Sequence, residues 1–154
     1  MNRESCSILL ALFLSLIAEH QLVSAAGVYS VAVKGTLKCG NEAAPNVKVI
    51  LYRIDSKDEK QALDSRLSGP SGMFEVNANT NGRQLNETDL SPVVRFYHRC
   101  DVGDDKKKDS SRSFQIIVPT DQVTLGKTPK KTFDIGTLNI ELTYPKESWE
   151  KTPN

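Results

Sequence analysis

The chain has 154 residues, of which 38% are hydrophobic and 25% charged, and its formal net charge is +1. That length suits one domain, and that composition excludes wholesale disorder. A charge so near zero also gives no electrostatic case for nucleic acid as the partner.

The first element is apolar. Behind Arg3 and Glu4, residues 8–18 form an almost purely aliphatic run, followed by the polar step Glu19-His20-Gln21 and the small-residue site Val23-Ser24-Ala25. The run is too short for a membrane-spanning helix, which needs about 20 residues. Its flanks predict a secretory signal over residues 1–25, cut after Ala25, and hence a secreted, extracellular mature chain. A buried N-terminal helix is the rival, but polar positions do not recur at helical spacing. No later stretch is apolar enough to act as a transmembrane anchor. Loss of Arg3, Glu4 and Glu19 with the signal takes the net charge from +1 to +2.

After the signal the chain reads as strands and turns. Tyr29, Val31, Val33, Leu37 and Cys39 alternate with polar or small residues, the period of a half-buried strand. Val47 to Ile54 is β-branched and apolar enough for a second strand, and Ala62 to Leu67 returns from the charged turn Asp55 to Lys60. Ser68-Gly69-Pro70-Ser71-Gly72 is a strong turn signal leading into Met73 to Val76. Asn77 to Ser91 has no periodicity and predicts a surface loop, with an N-glycosylation sequon at Asn86-Glu87-Thr88. Strands follow over Pro92 to Cys100, Phe114 to Val118 and Thr132 to Thr143, separated by the charged stretch Asp101 to Arg112 and the loop Thr120 to Lys131. Seven short strands with regular turns predict an all-β, antiparallel sandwich of seven to eight strands over residues 26–144. Residues 145–154 are expected to be a flexible C-terminal tail.

Cys6 leaves with the signal, so Cys39 and Cys100 remain. In an oxidising compartment two cysteines most simply form one disulfide. Closing the chain between these positions contributes about 4 kcal/mol if the bond is unstrained. A free thiol pair is a weaker reading, and zinc is weaker still, because the mature chain holds a single histidine, His98.

Val33 to Cys39, Pro45 to Tyr52, Gly72 to Val76, Phe96 to Cys100 and Phe133 to Ile140, in that order and spacing, resemble the nematode transthyretin-like family of secreted proteins. The resemblance implies a transthyretin-like (prealbumin-like, Greek-key) β-sandwich, a Cys39–Cys100 pair and an extracellular binding role without known catalysis. Two stretches depart from it, the Asn-rich segment from Ala78 to Leu90 and the charged insert from Asp101 to Arg112. Partner identity therefore does not carry over from the family.

The catalytic relatives of this fold, the 5-hydroxyisourate hydrolases, use more than one histidine, an arginine and a C-terminal Tyr-Arg-Gly-Ser. This chain has His98 alone and ends Glu147 to Asn154 without that motif. No catalytic residue and no cofactor is expected. Asp101, Asp104, Asp105 and Asp109 suggest calcium at first sight, but their spacing is not that of an EF-hand and Lys106, Lys107, Lys108 and Arg112 cancel their charge. No metal site is expected there. Lys127, Lys130 and Lys131 form a second small basic cluster, read as solubilising.

His98 shares strand parity with Val94, Phe96 and Cys100, so it should lean into the core as a structural histidine with a satisfied ring nitrogen. Arg95, Tyr97 and Arg99 fall on the other face. They are the candidate partner-binding row, set against a solvated face whose arginine stems cover the tyrosine. The sequence thus points to a secreted binding protein for a small apolar or lipid ligand or an extracellular protein. The alternative is an adaptor bridging a cell-surface or host protein to another macromolecule, and a homo-oligomer is compatible with either.

Overall fold

A computed structural model of the protein describes residues 27–54, 60–82, 90–103 and 110–153. The expected signal segment, the sequon asparagine Asn86 and the charged residues 104–109 lie outside the described residues.

The described residues form ten strands in two five-stranded sheets. The first sheet is built on β1 (Tyr29–Cys39), which pairs with β2 (Glu42–Ala43), β5 (Met73–Asn79), β8 (Thr124–Leu125) and β9 (Phe133–Asn139). The second runs in the order β10 (Ser148–Glu150), β7 (Ser111–Ile117), β6 (Pro92–His98), β3 (Lys48–Ile54), β4 (Lys60–Leu67). The all-β sandwich expected from the alternation is the fold that forms.

The two inner faces meet in one apolar core. Val31, Val33 and Leu37 of β1 and Phe74 and Val76 of β5 face Val49, Leu51, Val94, Phe96 and Phe114 of the other sheet. Four aromatic rings run through it: Phe74 edge-on to Phe96 at 5.4 Å, Phe96 stacked on Phe114 at 4.9 Å, and Phe114 stacked on Tyr144 at 4.0 Å. Aromatic pairs at such separations add about 0.5–1.5 kcal/mol each beyond their buried area.

Two glycines make the close approaches possible. Gly72 has φ +78°, and a Cβ there would sit 2.1 Å from the Leu37 carbonyl oxygen. That proximity lets the Leu37 amide donate to the Gly72 carbonyl at 2.9 Å and seal the β1 edge. At Gly35 the β1–β9 register shifts, and a Cβ would fall 2.6 Å from Ile135 Cγ1.

The structure also departs from the strand reading in specific places. β9 runs parallel to β1, whereas β8 is antiparallel to it, so the chain reverses direction between them. Alternation in sequence fixes which side chains face inward but not which way a strand runs. β5 continues to Asn79 and β7 begins at Ser111, inside stretches expected to be loops. The C-terminal segment is not a loose tail. β10 pairs with β7 through Ser148↔Ser113 and Glu150↔Ser111, because Glu150 and Glu147, the residue just before the strand, answer two arginines on the sheet.

Candidate functional site at the disulfide end

β1 and β6 end side by side, and there Cys39 and Cys100 are bonded with Cα atoms 5.7 Å apart. The pairing expected from the cysteine count is present. Beside it the Ala44 to Val47 loop is pinned by one buried serine. Ser68 Oγ accepts from the Val47 amide at 2.9 Å and donates to the Ala44 carbonyl at 2.7 Å. The Ser68 main chain adds bonds to Asn46 and Val47 at 2.9 Å each. Ser68 read only as a turn residue, since its partners are remote in sequence.

Between this loop, the disulfide and the C-terminal segment lies an open groove of about 450 Å³. Its walls include Ala44, Val47, Leu67, Ile140 and the bonded cysteines, and its polar edge includes Lys48, Arg99, Ser111 and Thr152. The Ser111 and Thr152 hydroxyls are hydrogen-bonded at 2.7 Å, so the C-terminal segment closes one side of the groove.

Arg112 organises the inner wall. Its Nε donates to Glu147 Oε1 at 2.6 Å and its Nη2 to Glu147 Oε2 at 3.2 Å, a bidentate pair. The remaining donors reach the carbonyls of Leu142 at 3.0 Å and of Cys100 and Glu141 at 3.3 Å each. One side chain thereby ties β7, the disulfide corner and the C-terminal segment together. Burial alone would raise the Glu147 carboxyl. The hydrogen bonds from Arg112 and the Tyr144 amide, with the Arg112 charge, outweigh burial and hold it below its ordinary value.

His98 lies across from Arg112 in the β6–β7 register and is 3% exposed, edge-on to Phe114 at 5.9 Å. It leans into the core, as its parity predicts. Both of its ring nitrogens are without a hydrogen-bond partner among the described residues, contrary to the expected satisfied ring. Burial, reinforced by the Arg112 charge, lowers its pKa to about 4, so the ring is neutral at physiological pH.

The expected row Arg95, Tyr97, Arg99 does not behave as one surface. Arg95 and Tyr97 are each 5% exposed, whereas Arg99 is exposed and donates to the Ser110 carbonyl at 2.6 Å. The Arg95 guanidinium lies 5.7 Å from the Tyr97 ring centroid and pairs with Glu150 of β10. It also donates to Ser113 Oγ at 3.0 Å and to Ser148 Oγ and Gln115 Oε1 at 3.3 Å each. The Tyr97 hydroxyl meets that of Tyr52 at 3.3 Å, and burial followed by this contact pushes its pKa up. Glu147, Ser148 and Glu150 were the residues the sequence reading missed. The signal was available: two carboxylates in a short segment can meet two strand arginines that would otherwise be buried unpaired.

Among the described residues, no group of three His, Cys, Asp or Glu side chains could hold a metal ion. His98 faces the Phe114 ring and the charges of Arg112 and Glu147.

A model of the transthyretin-like family matches residues 34–119. The chain is also 40% identical over 140 residues to transthyretin-like protein 46 of Caenorhabditis elegans, a match covering 90% of this chain and 75% of that one. The chain belongs to the transthyretin-like family. Transthyretin-like protein 33 of the same nematode is 30% identical over 149 residues, covering 96% of each chain. Among solved structures, a 9R-lipoxygenase from Cyanothece overlays 73% of this chain and 16% of its own at a TM-score of 0.42 and 17% identity, too slight a likeness to bear on fold or function. The transthyretin-like match holds both cysteines, Ser68, His98 and Arg112, but ends before β8, β9 and β10. The C-terminal segment that closes the groove therefore lies beyond it.

Proposed function

We propose that the mature chain is a secreted, non-enzymatic binding protein of the transthyretin-like family whose site is the groove at the disulfide end. The observation that carries this reading is the groove itself, concave, largely apolar, about 450 Å³ and framed by a covalent bond. Small-molecule sites have this size and this mixture of apolar wall and few polar groups. A preformed frame also lowers the entropy lost when a ligand settles. The core between the sheets is filled by the aromatic run, so a ligand is held at the end of the sandwich rather than inside it. Export rests on the apolar run and small-residue site before Ala26.

A second reading, an adaptor bridging two macromolecules, draws on the opposite end of β1. There exposed Leu125 pairs with Tyr29, and the exposed Lys127, Lys130 and Lys131 follow. An adaptor needs two separate surfaces, and this would be the second.

Both readings meet the same test. Mature protein immobilised in extracellular fluid should retain a ligand or partner, and exposed Ala43, which lines the groove, offers a way to block it. Ala43→Trp should abolish retention while the fold survives. Retention unaffected by Ala43→Trp but lost on replacing the three lysines would move the site to the far end. N-terminal sequencing of exported protein should begin at Ala26 or Gly27.

A further inference from the structure

His98 is a neutral ring held against a buried cation. Neither of its ring nitrogens has a hydrogen-bond partner among the described residues, and the side chain is almost fully enclosed. Across the β6–β7 register lies Arg112, all of whose nitrogens are committed. Nε and Nη2 hold Glu147, Nη2 also reaches the Leu142 carbonyl, and Nη1 reaches those of Cys100 and Glu141. A guanidinium fixed at so many points cannot swing aside for a second cation.

The other groups around the ring offer little relief. Glu147, in the segment before β10, attracts a protonated ring, but more weakly than Arg112 repels it, and Arg112 already holds both carboxylate oxygens. The Tyr144 hydroxyl donates to the Asn139 carbonyl at 3.2 Å, and burial raises its pKa, so it stays neutral. On the groove side the charged lining residues are Lys48 of β3 and Arg99 after β6, with no carboxylate among those described. A proton on His98 therefore creates a buried imidazolium with two N–H donors and no acceptor in place, a state that water must relieve. Water reaches the ring most cheaply by lifting the element that is least firmly held. That element is the C-terminal segment, where Tyr144 stacks on Phe114, Glu147 clasps Arg112, and β10 adds three register pairs at the margin of its sheet. Short marginal strands are among the first parts of a fold to open.

We infer that His98 is an acid-operated latch, whose protonation lifts the segment from Tyr144 to Thr152 off β7 while the sandwich stays folded. Release breaks the Ser111–Thr152 contact, so the groove loses the wall that the segment supplies. The latch itself does not depend on what the groove binds. With the ring at its ordinary 6.5 in the open form and about 4 in the closed one, the open population rises about 30-fold between pH 7.5 and pH 5. Glu147 is held below the usual carboxylate value, so the rise over that range belongs mainly to His98.

The test is hydrogen exchange of the intact mature protein, read amide by amide by NMR between pH 7.5 and pH 5 and corrected for intrinsic exchange rates. The opening constant of the β10 amides should rise about 30-fold over that range and exceed that of the β1 and β3 amides by at least about tenfold throughout. Two uncharged replacements, His98→Phe and His98→Gln, should each hold the β10 opening constant within about threefold across the range. A full rise that persists in whichever variant folds overturns the proposal, because another group then carries the proton. An opening constant for β10 equal to that of β1 at every pH also overturns it, since the chain would be opening as a whole. So does a β10 opening constant that does not respond to pH in the parent chain.

Discussion

Two arginines, Arg112 and Arg95, hold the same short C-terminal segment from opposite faces of one sheet, and they do so in different ways. Arg112 faces inward, its side chain 10% exposed and that of its partner Glu147 12%, with every donor nitrogen engaged. Arg95 lies on the outer face, but its partner Glu150 keeps 38% of its side chain in solvent, and the Arg95 Nε has no partner among the described residues. The difference teaches how one strand of three residues is specified. Glu147 fixes where the segment enters, because a buried guanidinium without a carboxylate is prohibitive. Glu150 then trims a pairing already made.

That contrast breaks most sharply at Arg112. Arg112→Ala should cost about 3–5 kcal/mol in urea denaturation, because it strands the buried Glu147 carboxylate and three carbonyl acceptors at once. Restoring Arg112 as Lys should recover only part of the loss, since a single ammonium cannot reproduce the bidentate fork. A loss below about 1 kcal/mol for Arg112→Ala would show that β10 is held by its backbone pairing alone.

Acidification tests the same inner cluster without mutation. The folded-state pKa of His98 is about 4 against 6.5 for the unperturbed group, so between those values the unfolded chain binds the extra proton. Stability therefore falls as pH drops from 6.5 toward 4, by on the order of 3 kcal/mol in total. Glu147 acts in the same direction. Its depressed pKa contributes stability present above the unfolded carboxyl value and lost as pH falls through the folded one. The charged groups facing His98 are Arg112, which opposes its protonation, and Glu147, which favours it. His98→Phe should remove most of the slope between pH 4 and 6.5. An unchanged slope in that variant would assign the acid sensitivity elsewhere.

These clusters explain why the sandwich could be read from the sequence and the clamp could not. The strands β1 and β9 announce themselves through apolar alternation and β3 through its β-branched, apolar run, and the two cysteines outside the expected signal leave one pairing to consider. Ser111-Arg112-Ser113 carries no such mark, so a strand start looked like the end of a charged loop, although Arg112 points inward. Ser148-Trp149-Glu150 is too short to have a period, and its reason to be a strand sits on β7 and β6, 35 and 55 residues earlier respectively. Arg95 and Tyr97 were placed on the correct face. Their burial follows from the C-terminal segment and from Tyr52, neither of which local periodicity reports.

The smallest expected effect lies on the outer face. Arg95→Ala removes the cation from Tyr97 and releases Glu150, but the released carboxylate already reaches water and can rehydrate where it stands. Partly exposed pairs of this kind contribute about 1 kcal/mol or less, and a tyrosine–guanidinium contact adds a similar amount. The variant should therefore lose about 1–2 kcal/mol, well short of Arg112→Ala, and the Ser111–Thr152 closure of the groove should persist. Ligand capture separates this structural part from a binding one. If Arg95 only clamps β10, Arg95→Ala leaves capture from extracellular fluid near that of the parent. A loss of capture in a folded Arg95→Ala variant would restore Arg95, Tyr97 and Arg99 as a single recognition row and dissolve the distinction between the two faces.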